Sequence, residues 1–153
     1  MYAIAYTKKL ASNTANATIK YIAKNVAAVS IGHLNILKKS KEMCDFLIVG
    51  VSTDEVVQSY KHKVPVIPFK DRVEIIKSIR YVDQVVPQLS MDKFQAWSEL
   101  HFDVMFHGDD WKGSSLYNEY ESRLKEVGVE VVYIPHTEGV SSSMLTDEIK
   151  YGK

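Results

Sequence analysis

Cysteine is almost absent. Cys44 stands alone among 153 residues, which excludes an intramolecular disulfide and any metal site built on clustered thiolates. A reducing compartment suits such a chain, and Cys44, close behind the helical spacing of Leu34 and Leu37, reads as a buried thiol. Net charge is also lacking, since nineteen Lys plus Arg balance nineteen Asp plus Glu. Nothing in that balance favours nucleic acid or an anionic membrane surface, although a small anion needs only a local basic cluster. No apolar run approaches the roughly 18 to 20 residues that span a bilayer. The stretch Met1 to Ser30 is broken by Lys8, Lys9, Asn13, Asn16, Lys20 and Lys24, unlike a signal peptide. A single cytoplasmic domain is therefore expected, with no nucleic-acid partner and no membrane insertion. The patterns GxxxxGK[ST], GxGxxG and HExxH are missing as well, so a bound phosphate would have to be held in some other way.

What is present alternates between two periodicities. Tyr2 to Tyr6 is a short apolar run of strand type, and from Thr18 the residues Ile19, Ile22, Val26 and Val29 recur at helical spacing. Leu34, Leu37 and Lys41 continue a helical period, and Phe46 to Val51 is continuously apolar, as a doubly buried parallel strand should be. Ser52-Thr-Asp-Glu55 has the form of a capping box. Lys61 to Pro68, with two prolines in four residues, predicts a loop. Val73, Ile76 and Ile79 predict a helix, Gln84 to Val86 a strand, and Met91, Phe94, Trp97 and Leu100 a further helix. Phe102 to Phe106 is the next strand, Leu116 to Val127 a helix ended by Gly128, Val129 to Ile134 the last strand, and Met144 to Lys150 the last helix. This alternation predicts an α/β domain, a Rossmann-like parallel sheet with helices on both faces and a ligand crevice at the carboxyl ends of the strands.

Three polar motifs fall where such a crevice would be. Ser30-Ile31-Gly32-His33 opens a helix, where a glycine permits close backbone approach and the helix end favours an anion. Gly108-Asp109-Asp110-Trp111 follows the strand Phe102 to Phe106 and could hold a base or a sugar, or simply form a turn. Gly139 to Ser143 follows the last strand, with hydroxyls that suit either a phosphate or ordinary helix capping. Lys61, Lys63, Arg72 and Arg80 lie between the second and third strands, and basic residues there gain meaning only jointly with the other motifs. Asp83 could pair with an arginine.

Together, IGHLNILKKSKEMCDFLIVGVSTDE, YKHKVPVIPFKDR, IRYVDQVVP, FHGDDWKG and YIPHTEGVSSS resemble the cytidylyltransferase family, most closely its glycerol-3-phosphate-using branch. The resemblance runs from about Ile31 to Ile149. It divides the chain into an atypical segment, 1–30, and a nucleotidyltransferase-fold domain, 31–150, within a single domain overall. It implies attack by a substrate phosphate, glycerol 3-phosphate by preference, on the α-phosphorus of CTP. Pyrophosphate would leave, Mg²⁺ would shield the triphosphate, and the protein would be a homodimer. Such catalysis is positioning plus charge stabilisation. By motif, His33 and Lys61 take the catalytic places. Gly32, Gly108, Asp109, Asp110, Thr137, Ser141 and Ser142 fall on the nucleotide-binding elements. Lys63, Arg72 and Arg80 fall on the phosphate-binding ones.

Two positions depart from the family pattern. Ser30 stands where the family has the first histidine of HxGH, behind a GTFD loop that has no counterpart here, and His136 stands where an arginine usually precedes TEG. Serine donates a hydrogen bond but carries no positive charge, and losing one such transition-state donor costs a factor on the order of 10² to 10³ in rate. An impaired homologue that only binds nucleotide is the rival reading, and an adenylyltransferase is a third. Ser30→His should therefore raise turnover by up to about 10² to 10³-fold in a pyrophosphate-release assay. If it does nothing, while replacing everything before Ile31 with a GTFDLFH-type start restores the rate, the loop and not the imidazole is what is missing.

Overall fold

A computed structural model describes residues 19–24, 31–62, 64–135 and 137, with the backbone alone for 19–24 and Trp111. Tyr2 to Tyr6, Ser30, Lys63, His136, Ser141, Ser142 and the helix expected at Met144 to Lys150 lie outside the described residues. Among the described residues five strands form one parallel sheet: β1 (Ile19–Lys24), β2 (Phe46–Ser52), β3 (Gln84–Gln88), β4 (Val104–Gly108) and β5 (Glu130–Ile134). Their order is β3-β2-β1-β4-β5. The α-helices described are α1 (Ile31–Glu42), α2 (Asp54–Lys61), α3 (Phe69–Lys77), α4 (Lys93–Leu100) and α5 (Ser115–Glu126). The α/β class and the parallel sheet are as the alternation predicts.

One expectation is corrected. The helical spacing from Ile19 does not produce a helix at Ile19–Lys24, which instead forms the central strand, paired with Phe46 to Val51 on one side and with Val104 and Met105 on the other. Six residues carry little helical preference of their own, and a slot between two strands offers partners to the backbone groups on both edges. Tertiary context decides the outcome.

β2 is buried at every position after Phe46, and β4 along its whole length. Both strands therefore read as unbroken apolar runs and not as alternation. Leu47, Val49, Val51, Met105 and Phe106 form the centre of the core with Leu37, Ile76 and Leu124 from the helices. The chain moves from β1 to β2 and β3 in one direction, then crosses to β4 and β5 on the other side. Right-handed crossovers convert that reversal into helices on both faces, α1 to α3 on one and α4 and α5 on the other. Contacts of α1 and α3 with β2, and of α4 with α5, agree.

Local chemistry sets the ends. α2 is capped by Thr53, whose hydroxyl accepts from the Val56 amide, so the cap lies one residue later than the Ser52 capping box predicts. Ser52 is the last residue of β2, and its buried hydroxyl donates to Gln88 Oε1 on β3. Glu55 keeps a role at the cap, its carboxyl held below the ordinary range by its own backbone amide and the Thr53 hydroxyl. Gly128 follows α5 at φ +81°, a left-handed conformation that favours glycine. Asp83 does not pair with an arginine. It accepts from the Leu47 amide at 2.5 Å and from Lys41 Nζ at 2.7 Å, fastening β2 and α1 at the amino edge of the sheet.

Lys93, the first residue of α4, is fully buried, and burial pushes its ammonium down to about 7 while neighbouring Asp92 pulls it up. Between about pH 7 and the ordinary lysine value of 10.5 the unfolded chain holds a proton that the folded chain lacks, so stability rises with pH across that window. Below pH 7 both states are protonated and the full cost of burying the charge is present. Urea unfolding at about pH 7 and about pH 9.5 should show the native protein gaining on Lys93→Met at the higher pH. A constant difference between the two would mean that Lys93 titrates normally.

Candidate functional site

In an open parallel sheet the place to look is the carboxyl edge where the strand order reverses, here between β1 and β4. α1 begins beyond the carboxyl end of β1, with Gly32 and His33 both buried in its first turn. β4 ends at Gly108, and Asp109–Trp111 then forms a single 3₁₀ turn with the two carboxylates exposed. Thr137 follows β5 and accepts through its hydroxyl from Asn35 Nδ2 at 3.2 Å. Elements after three neighbouring strands thus converge: His33 and Asn35 from α1, the Gly108–Asp110 turn, and Thr137. Gly32, His33, Gly108, Asp109, Asp110 and Thr137 are all predicted from sequence. Asn35 is not, because residues two apart on a helix face different ways and nothing in its spacing from His33 marks it.

The basic residues divide. Lys61 is the exposed last residue of α2, just before His62 takes a left-handed φ of 52°. The segment that follows returns to the carboxyl edge, because the Phe69 amide donates to Asp54 Oδ2 at 3.2 Å. α3 has no capping side chain of its own, its N-cap being Pro68, and Asp54 supplies that acceptor from α2. Asp54 also pairs through Oδ1 with Arg72 Nη2.

Arg72 is enclosed, not presented to solvent. Its side chain is 0% exposed, Nη1 donates to the Ser52 carbonyl at 2.7 Å and Nε to the Ile67 carbonyl at 2.9 Å. The guanidinium therefore ties the end of β2, the start of α2 and the end of the loop into one unit, so three of its directions are taken by protein. Arg80 lies beyond α3 in the turn that leads into β3, at the amino edge, exposed and stacked 5.0 Å over the Tyr81 ring. It is not among the residues that converge at the carboxyl edge of this chain.

At the opposite flank of the turn, His107 and Tyr117 are both fully buried and joined by a 2.7 Å contact between Nε2 and the phenol oxygen. Neither was singled out from sequence, yet His107 directly precedes the glycine of the motif. Tyr133 packs 6.3 Å from the His107 ring, and burial together with Glu121 pushes its phenol well above the ordinary range. Two clefts lie away from the convergence, one between β3 and α4 around Pro87 and Gln95, the other along α5 and the start of β5 around Glu121 and Gly128. Neither contains a site residue. Among the described residues no group of three His, Cys, Asp or Glu side chains could hold a metal ion, and no helix is long and apolar enough to cross a membrane.

A polar constellation at the switch point of a parallel sheet lies where open α/β folds bind their ligands. A family model described as cytidylyltransferase-like matches residues 28–148, and the chain belongs to that family. It is 37% identical over 119 residues to a glycerol-3-phosphate cytidylyltransferase of Bacillus subtilis, covering 77% of this chain and 86% of that protein. The corresponding Staphylococcus aureus protein is 38% identical over 123 residues, covering 80% and 86%. An FAD synthase of Pyrococcus horikoshii is 37% identical over 114 residues, covering 71% and 74%. The fold also matches a lipopolysaccharide core biosynthesis protein of Thermoplasma volcanium, with a TM-score of 0.63 at 23% identity over 75% of this chain and 92% of that one.

Arg72→Met should destabilise the protein by about 3 kcal/mol, since it leaves the Asp54 carboxylate and two carbonyls without their cation. Arg72→Lys should recover only part of the loss, because an ammonium cannot reach three diverging acceptors as a planar fork does. Chemical denaturation checks both. Equal stability of Arg72→Met and the parent would show that the guanidinium is not what holds the loop.

Proposed function

We propose that this protein transfers a cytidylyl group from CTP to a phosphorylated alcohol, glycerol 3-phosphate by preference, releasing pyrophosphate. The observation that carries the reading is the convergence of His33, the Gly108–Asp110 turn and Thr137 at one switch point, linked by the hydrogen bond from Asn35 to Thr137. The two cytidylyltransferases at 37% and 38% identity support the choice of base and acceptor.

The acceptor's phosphate oxygen attacks the α-phosphorus of CTP, a new P–O bond forms, and the bond to the β-phosphate oxygen breaks. No covalent enzyme intermediate is needed. His33 and Lys61 stabilise charge at the reacting phosphate, Lys63 adds a second cation just beyond α2, and Ser141 and Ser142 hold the triphosphate. Gly32, Gly108, Asp109, Asp110 and Thr137 shape the nucleotide site. Arg72 acts indirectly, by fixing the return of the loop that follows Lys61, and Arg80 at the far edge is left out. Mg²⁺ arrives as part of the nucleotide, since such ions keep several waters and lean on phosphate oxygens more than on protein cages. The working form is a homodimer in the cytoplasm.

The FAD synthase likeness supports a second reading, adenylyl transfer to a flavin phosphate, the chemistry that completing an adenine dinucleotide requires. The chain should be incubated with Mg²⁺, CTP or ATP, and a panel of glycerol 3-phosphate, ribitol phosphate, phosphocholine, phosphoethanolamine and flavin mononucleotide, with pyrophosphate monitored. Release with CTP and glycerol 3-phosphate is the expected result. Release confined to ATP and the flavin overturns it, and tight CTP binding without release with any acceptor marks an impaired homologue. In calorimetric titrations Lys61→Ala should weaken CTP on the order of tenfold, more than Lys63→Ala. Equal effects would reduce the loop to a basic surface.

A further inference from the structure

We propose that His107 is a positioning residue for the nucleotide-binding turn, acting through the Gly108 carbonyl to set the direction of the Asp109 amide. This inference rests on the reading of Gly108–Asp110 as part of the nucleotide site.

His107 is the one polar side chain in a strand that otherwise runs Val104, Met105, Phe106 and Gly108, and it is 0% exposed. A residue of that kind carries a desolvation cost that methionine or leucine would avoid. What the ring gains is a hydrogen-bonded position at each nitrogen. Nδ1 lies 2.6 Å from the Gly108 carbonyl oxygen. A carbonyl can only accept, so Nδ1 carries the proton. In the neutral ring Nε2 is then an acceptor, and the Tyr117 hydroxyl, 2.7 Å away, donates to it. Tyr117 sits in the first turn of α5, whose N-cap Ser114 accepts from the Tyr117 amide. The two rings also pack with centroids 4.4 Å apart at 58°. A line of hydrogen bonds therefore runs from α5 through the imidazole to the peptide that opens the turn.

That peptide is planar and trans, like every other described peptide bond. In a trans peptide the N–H points opposite to the C=O. By drawing the Gly108 carbonyl towards the buried ring, His107 turns the Asp109 N–H the other way. Gly108 and its register partner Ile134 on β5 are buried, whereas Asp109 and Asp110 are exposed, so the held peptide lies where the β4–β5 ladder ends and the two carboxylates beyond it face solvent. The Asp109 carbonyl then accepts from the Lys112 amide at 3.2 Å, which closes the turn. Fixing one peptide plane at its head fixes the approach of both carboxylates. Second-shell hydrogen bonds of this kind are how a site holds its contacting groups within a fraction of an ångström.

The test uses two amides that mimic different nitrogens of the ring. His107→Asn places its amide nitrogen near the position of Nδ1 and retains a donor to Gly108. His107→Gln reaches the position of Nε2 and retains only the contact with Tyr117. Three quantities are measured: the thermal midpoint, hydrogen exchange of the amides at Asp109 and Asp110, and the affinity for CTP with Mg²⁺. Both variants lose the ring and should lose similar thermal stability. The Gln variant should exchange faster at Asp109 and Asp110 and bind CTP about tenfold more weakly, with the Asn variant closer to the parent in both. Equal exchange and equal affinity in the two variants would reduce His107 to packing. If the parent protein binds no CTP, the reading of the turn as a nucleotide site fails, while the exchange comparison still decides whether His107 sets the peptide. Should neither His107 variant fold, Tyr117→Phe, which deletes one oxygen, should speed exchange at the same two amides. No change there overturns the coupling.

Discussion

The Arg72 guanidinium is the point on which the edge of the sheet depends. A parallel strand ends with carbonyls that nothing in the sheet completes, and the Ser52 carbonyl is one of them. Arg72 donates to it, to the Ile67 carbonyl and to Asp54, so the exit from β2, the start of α2 and the approach to α3 share one cation. Asp54 repeats the economy from the acidic side, capping α3 while pairing with Arg72. Arg72 is fully enclosed while Asp54 keeps partial access to solvent, so the carboxylate is what makes the buried guanidinium tolerable.

The reversal of strand order supplies the second constraint. Because β1 lies between β2 and β4, the chain must leave the sheet in opposite directions on either side of one gap. α1, the Gly108–Asp110 turn and the segment holding Thr137 meet around that gap, and the Asn35 to Thr137 hydrogen bond closes it across 102 residues of sequence. Unpaired backbone groups at strand and helix ends are what a phosphate or a sugar can use.

Much of this was legible in the residues. β2 and β4 are doubly buried, so their apolar runs were unmistakable, and helices α1, α3, α4 and α5 announced themselves by period. β1 was not legible. Ile19 and Ile22 satisfy a helical spacing as well as a strand, and only its two neighbours decide between them. The site was legible as motifs, but the motifs do not say which way a side chain points. Arg72 and Arg80 look alike in sequence, yet one is buried among carbonyls and the other stacks on Tyr81 at the far edge. Asn35 and His107 escaped notice because each only supports a motif residue, Thr137 in one case and Gly108 in the other, and such supporting contacts leave no periodic trace.

The tether at Asp54 has a further consequence, for variation over evolutionary time. The loop after α2 returns to a clamped end, Phe69 held by Asp54 at the start of α2 and Ile67 by Arg72. The entropy of closing a loop grows only slowly with its length, by about 0.6 kcal/mol per doubling. Changes of length after His62 should therefore cost the scaffold little, and the sheet and its clamp would fold as before. A fold arranged in this way separates the inheritance of its scaffold from the inheritance of that loop, so that the one can be kept while the other changes.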